Sequence, residues 1–140
     1  MIAEARADEL SRVLKLRGFV DIESVVNMLG LRVYERDMDP ELQEVKSGAL
    51  IAVRKDLPPE WKRFVIAHAI GHHQLHVGNH VFMRKVTTLG DPIEHQADAF
   101  ALRLLVNPRD VIRENLHETW EIAEHFGVPE EIIRVQGILL

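Results

Sequence analysis

The sequence predicts an α+β fold, mostly helical, with a small sheet of about three strands. Three observations predict it. An amphipathic stripe occupies residues 3 to 17. Two short stretches, 31 to 35 and 48 to 53, carry strand patterning. Two longer helical stretches then begin at prolines, near 59 and at 92. The order that results is helix, small sheet, two long helices and a helical tail. At 140 residues the chain suits one domain, 1–140, whose tail begins at about residue 108.

Each element has a local reason. In the first helix Leu10, Val13 and Leu14 share a stripe, and Gly18 is the expected stop. Asp21 reads as the N-cap of a short helix through Leu29, closed by Gly30. Leu31-Arg32-Val33-Tyr34-Glu35 alternates as a strand does. Asp37 to Glu44 is polar and contains Pro40, so it reads as a loop or a turn of helix. Gly48-Ala49-Leu50-Ile51-Ala52-Val53 is the strongest strand signal, and Leu57-Pro58-Pro59 breaks it. A helix is expected from about Pro59 to His76, ended by Gly78-Asn79. Val81 to Leu89 fits a strand or an ordered loop. Pro92 suits the first turn of the next helix, which runs to Leu105 before Asn107-Pro108. Short helices broken at Gly127 and Pro129 close the chain.

Composition excludes several classes. The net charge of −5 argues against a surface that tracks phosphate, so direct nucleic-acid binding is not expected. Around Phe126-Gly127-Val128 the spacing loosely suits a helix-turn-helix, but five glutamates between 118 and 131 would repel a phosphate backbone. With no cysteine there is neither a disulfide framework nor a thiolate metal site. The amino terminus has no apolar signal core, and no apolar run reaches the roughly 18 residues of a membrane span. A cytoplasmic location without membrane association is the expectation.

The chemistry concentrates in His68-Ala69-Ile70-Gly71-His72. Two histidines four apart on a helix project from one face, so both rings can meet one Zn²⁺. The stretch reads as the zinc-peptidase motif H-E-x-x-H with alanine in place of glutamate. The missing side chain is the general base that takes a proton from the attacking water. A catalytic zinc needs a third protein ligand, and Glu94, at the start of the next helix, supplies one. Asp98 lies one turn on, on the same face, where it can accept the N–H of a ligand histidine. The metzincin alternative fails, because Leu75 and Gly78 stand where it needs glycine and histidine. Of the other histidines, His76 reads as a packed or capping residue and His73 as a surface residue. His80 and His95 lie close enough in sequence to line the cleft. The group that would stabilise an oxyanion stays open among Tyr34, His80, His95 and His117. The run from Gly48 to Val53 is either a plain core strand or an edge strand that pairs with substrate.

With these residues assembled, the chain resembles the ImmA/IrrE family of zinc metallopeptidases. Arg63-Phe64-Val65-Ile66-Ala67-His68-Ala69-Ile70-Gly71-His72 is similar to that family's R-F-x-x-A-H-E-x-G-H helix. Glu94-x-x-Ala97-Asp98-x-Phe100-Ala101 with Leu104-Leu105-Val106-Asn107-Pro108 is similar to its second segment. The resemblance covers roughly residues 20 to 135. It implies a zincin-like fold with zinc on His68, His72 and Glu94, and Asp98 behind them. It also implies a protein substrate, a helix-turn-helix repressor or similar regulator. Ala69 is the departure: metal binding should survive it, and peptide hydrolysis should largely not. Two histories fit. One is an engineered knockout of an active peptidase, favoured by the retained ligand set. The other is a natural pseudopeptidase that uses the cleft as a protein-binding module.

Overall fold

The computed structural model describes residues 2–76, 81–85 and 91–137, and within 81–85 the side chain of Arg84 alone. The apolar stripe of the amino terminus forms α1 (Ile2–Leu14), which buries Ala3, Ala7 and Leu10. It ends before the expected Gly18 because Lys15 turns into the left-handed region, at φ 56°. Asp21 caps α2 (Ile22–Met28) as expected, accepting from the Ser24 backbone N–H and hydroxyl.

Four strands follow in one mixed sheet: β1 (Arg32–Arg36), β2 (Leu42–Ser47), β3 (Leu50–Arg54) and β4 (Val81–Lys85). Their order is β1-β3-β2-β4, with β1 parallel to β3 and the other pairs antiparallel. The fold is the expected α+β class, and the additional strand is β2. Its start falls in the stretch read as loop or helical turn, and only Leu42 and Val45 are apolar in it. Ser47 pairs with Leu50, which leaves Gly48 and Ala49 as a two-residue hairpin loop. Gly48 has φ +57°, the conformation that such a turn requires at its first central position.

The order also decides one open question. The strand expected at Gly48–Val53 is β3, and it lies between β1 and β2. Both of its edges are already paired, so it cannot receive a substrate strand. Among the described residues the sheet's edges are β1 and β4.

Two long helices complete the frame. The first, α3 (Pro59–Leu75), packs against β2 and β3, and α4 (Pro92–Leu105) packs against α3 and α1. Gly71 makes the α3–α4 approach close. A Cβ there would meet the Ala97 carbonyl oxygen and the Phe100 ring at 3.2 Å. The core gathers Phe64, Ile70, Phe100, Leu104 and Leu105 around this contact. The expected helix end at Gly78-Asn79 lies outside the described residues, as do 86–89.

The tail forms α5 (Pro108–Arg113), α6 (Thr119–Phe126) and α7 (Glu130–Gln136). Gly127, left-handed at φ +66°, ends α6, and Pro129 opens α7. Phe126, Ile132 and Ile133 are buried in the common core. Arg63 of α3 ties the tail down. Its guanidinium donates to the carbonyls of Val20, Phe126 and Gly127 at 2.7–3.1 Å, and it stacks on Phe19. The helix pair around Gly127 is thus packed onto the body of the fold.

Candidate metal centre

Two helix faces meet at the site with the same spacing. From α3 come His68, Gly71 and His72; from α4 come Glu94, Ala97 and Asp98. Each set is an i, i+3, i+4 stripe, so the small pair Gly71 and Ala97 lets the four functional side chains converge. Asp91 fixes where α4 begins, its carboxylate accepting from the backbone N–H groups of Ile93 and Glu94. That cap holds Glu94 in the first turn, facing inward.

His68 Nε2 and His72 Nε2 lie 3.0 Å apart. The Glu94 carboxylate spans them, Oε2 at 2.7 Å from His68 Nε2 and Oε1 at 3.0 Å from His72 Nε2. One donor atom from each residue falls within 4.8 Å of every other. Donors on a tetrahedral zinc stand about 3.3 Å apart, within about half an ångström of these separations. All three residues are buried, so Glu94 is not the solvated first-turn carboxylate that its position alone would suggest.

The outer nitrogens are also engaged. His68 Nδ1 lies 2.8 Å from Asp98 Oδ1, the contact expected from sequence. His72 Nδ1 lies 3.3 Å from Nδ1 of His76, which caps α3. Both arrangements suit rings that keep Nδ1 for a hydrogen bond and turn Nε2 to a metal. Arg84 of β4 enters here. Its guanidinium donates to Asp98 Oδ1 at 2.7 Å and to Gln43 Oε1 at 3.0 Å. Its 3.2 Å approach to His68 Nδ1 is a meeting of two donors on the shared Asp98 oxygen.

Sequence reasoning missed three members of this cluster: Gln43, Arg84 and above all Glu44. Glu44 is completely buried, and Oε1 lies 3.8 Å from His68 Nε2. Neither of its oxygens has a hydrogen-bond partner among the described residues. The signal that could have found it is the Gly48 turn, which implies a strand on its near side with Glu44 and Lys46 pointing inward.

The electrostatics follow from burial and proximity. Burial, only partly opposed by His68, pushes the Glu44 carboxyl up to about 7. Burial also works against ionised Glu94, but hydrogen bonds from His68 and His72 outweigh it and hold that carboxyl well below its ordinary range. Burial opposes charge on His68 too, yet Asp98 and Glu94 raise its pKa; burial lowers that of His72. Three carboxylates in mutual reach (Glu44, Glu94 and Asp98) face one guanidinium, Arg84. With all ionised and the histidines neutral, the cluster is two charges short of neutrality. A divalent cation bound there would supply them. Lys46, the next inward residue on β2, is engaged by the Gly48 carbonyl at 2.6 Å.

The chain matches the IrrE N-terminal-like domain family over residues 26–136. It belongs to that family of peptidases. No curated protein matches it. The IrrE-like match takes in both site helices and the whole sheet, so this is a metallopeptidase-type domain whose His-His-Glu cluster can hold a metal ion. The remaining residues singled out in the IrrE-like chain fall elsewhere. His73 is exposed, as expected. His95 does not line the metal cluster: it is exposed on α4 and pairs with Gln136 of α7. Tyr34 stands on β1, at the far edge of the sheet from Arg84, and His117 pairs with Asn115. His80 lies outside the described residues. Ala69 is fully buried and belongs to the hydrophobic core.

Proposed function

We propose that this is a zinc-dependent peptidase domain that acts inside the cytoplasm on a regulatory protein, a helix-turn-helix repressor or similar. The observation that carries the zinc reading is the convergence of His68, His72 and Glu94, all buried, with one donor atom from each within reach of a single ion. An all-nitrogen-and-oxygen set of two imidazoles and one carboxylate suits zinc, and it leaves one coordination position open. Zinc bound there would polarise a peptide carbonyl and activate water. His68, His72 and Glu94 would hold it, while Asp98 and His76 fix the two rings. The repressor as substrate rests on the resemblance to the ImmA/IrrE family. The cytoplasmic setting fits such a target, and no helix among the described residues is long and apolar enough to cross a membrane.

Ala69 bears on how the site works. Ala69 is packed at 0% exposure beside His68. The chain thus carries alanine where the motif has its general base. That departure keeps a second reading in play, a protein-binding module built on the peptidase cleft.

The test is metal uptake followed by cleavage. Dialysed protein should take up about one zinc per chain, and Glu94→Ala should lose most of that affinity. Absence of zinc from the wild type, with Glu94→Ala no different, would overturn the metal reading. Zinc binding with capture but no cleavage of a helix-turn-helix repressor would select the binding module.

A further inference from the structure

We propose that Glu44 supplies, from strand β2, the carboxylate that the helix motif lacks at position 69. The proposal rests on the reading of His68, His72 and Glu94 as metal ligands. It assigns Glu44 to the attacking water, whose proton it would accept beside His68.

A fully buried carboxylate with two unpartnered oxygens is expensive, so its presence calls for an explanation. An ordinary salt bridge is not the explanation. No Lys or Arg nitrogen among the described residues comes within 4.0 Å of Glu44. Arg84, the nearest candidate, spends its guanidinium on Asp98 and Gln43. What Glu44 does face is His68 Nε2, at 3.8 Å. It stands just outside the group of three donors. That is the place of a side chain that reaches a small molecule on the metal.

The backbone is shaped to hold it there. Against β4, Leu42 pairs with Lys85 and Glu44 with Arg84, so Gln43 is an extra residue, a β-bulge. The bulge lets two consecutive residues, Gln43 and Glu44, both turn inward. Bulges recur beside active sites because they re-aim a side chain in this way. In the H-E-x-x-H motif the glutamate arrives from the helix, next to the first histidine. Here that position is a buried alanine, and a carboxylate arrives at the same histidine from the sheet.

The chemistry balances with Glu44 in this role. The water oxygen adds to the peptide carbonyl carbon as its proton passes to the Glu44 carboxylate. The C–N bond then breaks and the proton moves from Glu44 to the leaving nitrogen. The products are one carboxylic acid and one amine.

Acetohydroxamate binding to zinc-loaded protein tests this without relying on turnover. A hydroxamate chelates the metal and offers its remaining protons to a neighbouring carboxylate. Glu44→Gln should therefore weaken acetohydroxamate by about tenfold or more, because a neutral amide oxygen replaces the ionised acceptor and a charge-assisted hydrogen bond is lost. Glu44→Asp keeps the charge and withdraws it by one methylene, so it should weaken binding too; a pure charge-balancing role would spare it. Cleavage of the repressor should fall by about 10²-fold or more in Glu44→Gln. If zinc is retained, Glu94→Ala loses it, and Glu44→Gln and Glu44→Asp both bind acetohydroxamate as wild type does, then this proposal falls while the metal site stands. If wild type takes up no zinc, both fall.

Discussion

Replacing Glu44 by glutamine should stabilise the zinc-free fold, and by an amount that depends on pH. Burial raises the Glu44 carboxyl from its ordinary 4.5 to about 7. That displacement corresponds to about 3 kcal/mol. Its sign follows from proton binding. Below pH 4.5 the carboxyl is protonated in both folded and unfolded chains, and no cost arises. Between 4.5 and 7 the unfolded chain has lost the proton and the folded one keeps it, so stability falls as pH rises. Above 7 the cost is fully developed. Glutamine has the shape of the neutral acid and never ionises. Wild type and Glu44→Gln should thus be similar near pH 4, and the variant should lead by about 3 kcal/mol at pH 8. For a chain of this size that is about 10 °C in melting temperature. The assay is urea and thermal unfolding of both proteins in chelator, from pH 4 to pH 8. Comparing the pair cancels the titration of distant groups. Glu44 and His68 titrate against each other, so the difference reports on that couple. A variant no more stable at pH 8, or a lead that is the same at both ends of the range, would refute the reasoning.

Two further changes probe the frame of the site. Asp98→Asn removes the acceptor of His68 Nδ1 and the partner of Arg84, and should cost about 10- to 100-fold in zinc affinity by chelator competition; unchanged affinity would reduce Asp98 to a packing residue. Gly71→Ala places a methyl 3.2 Å from the Ala97 carbonyl and the Phe100 ring, so α3 and α4 must part by a few tenths of an ångström. It should destabilise the fold by about 1–3 kcal/mol and weaken zinc binding, and a melting temperature equal to wild type would contradict that close approach.

Much of the fold was legible because most elements declare themselves locally. Pro92, the Asp91 cap and the Asn107-Pro108 break bound α4 at the residues expected, and α3 starts at Pro59 as its Pro58-Pro59 pair implies. The His68–His72–Glu94 cluster was legible for the same reason. A four-residue spacing on one helix and a carboxylate opening the next are patterns of local geometry, and the close contact at Gly71 brings them together. What local pattern cannot contain is strand order. Gly48, read from the sequence as the first residue of a strand, is in the structure a turn, and the insertion of β3 between β1 and β2 is set by pairing across the sheet. That order, and no local pattern, decides for a core strand over a substrate-pairing edge at 48–53.

Glu44 stayed hidden for a physical reason that bears on function. A strand is recognised by alternation of apolar and polar residues, on the premise that the inward face is apolar. In β2 the premise is inverted: the inward residues are Gln43, Glu44 and Lys46, while Val45 is only half-buried. Such a strand looks like loop because its inner face is built against a site, where polar side chains are held at a cost in stability for what they can reach. The same inversion marks Arg84 on β4. Two neighbouring strands that each send a charged side chain inward, onto the helix face that carries His68, are spending folding free energy at one place. On the metal reading, a bound cation would offset that cost by neutralising the surplus of carboxylates. Zinc should accordingly raise the stability of wild type more than that of Glu44→Gln, narrowing the lead that the variant holds without metal.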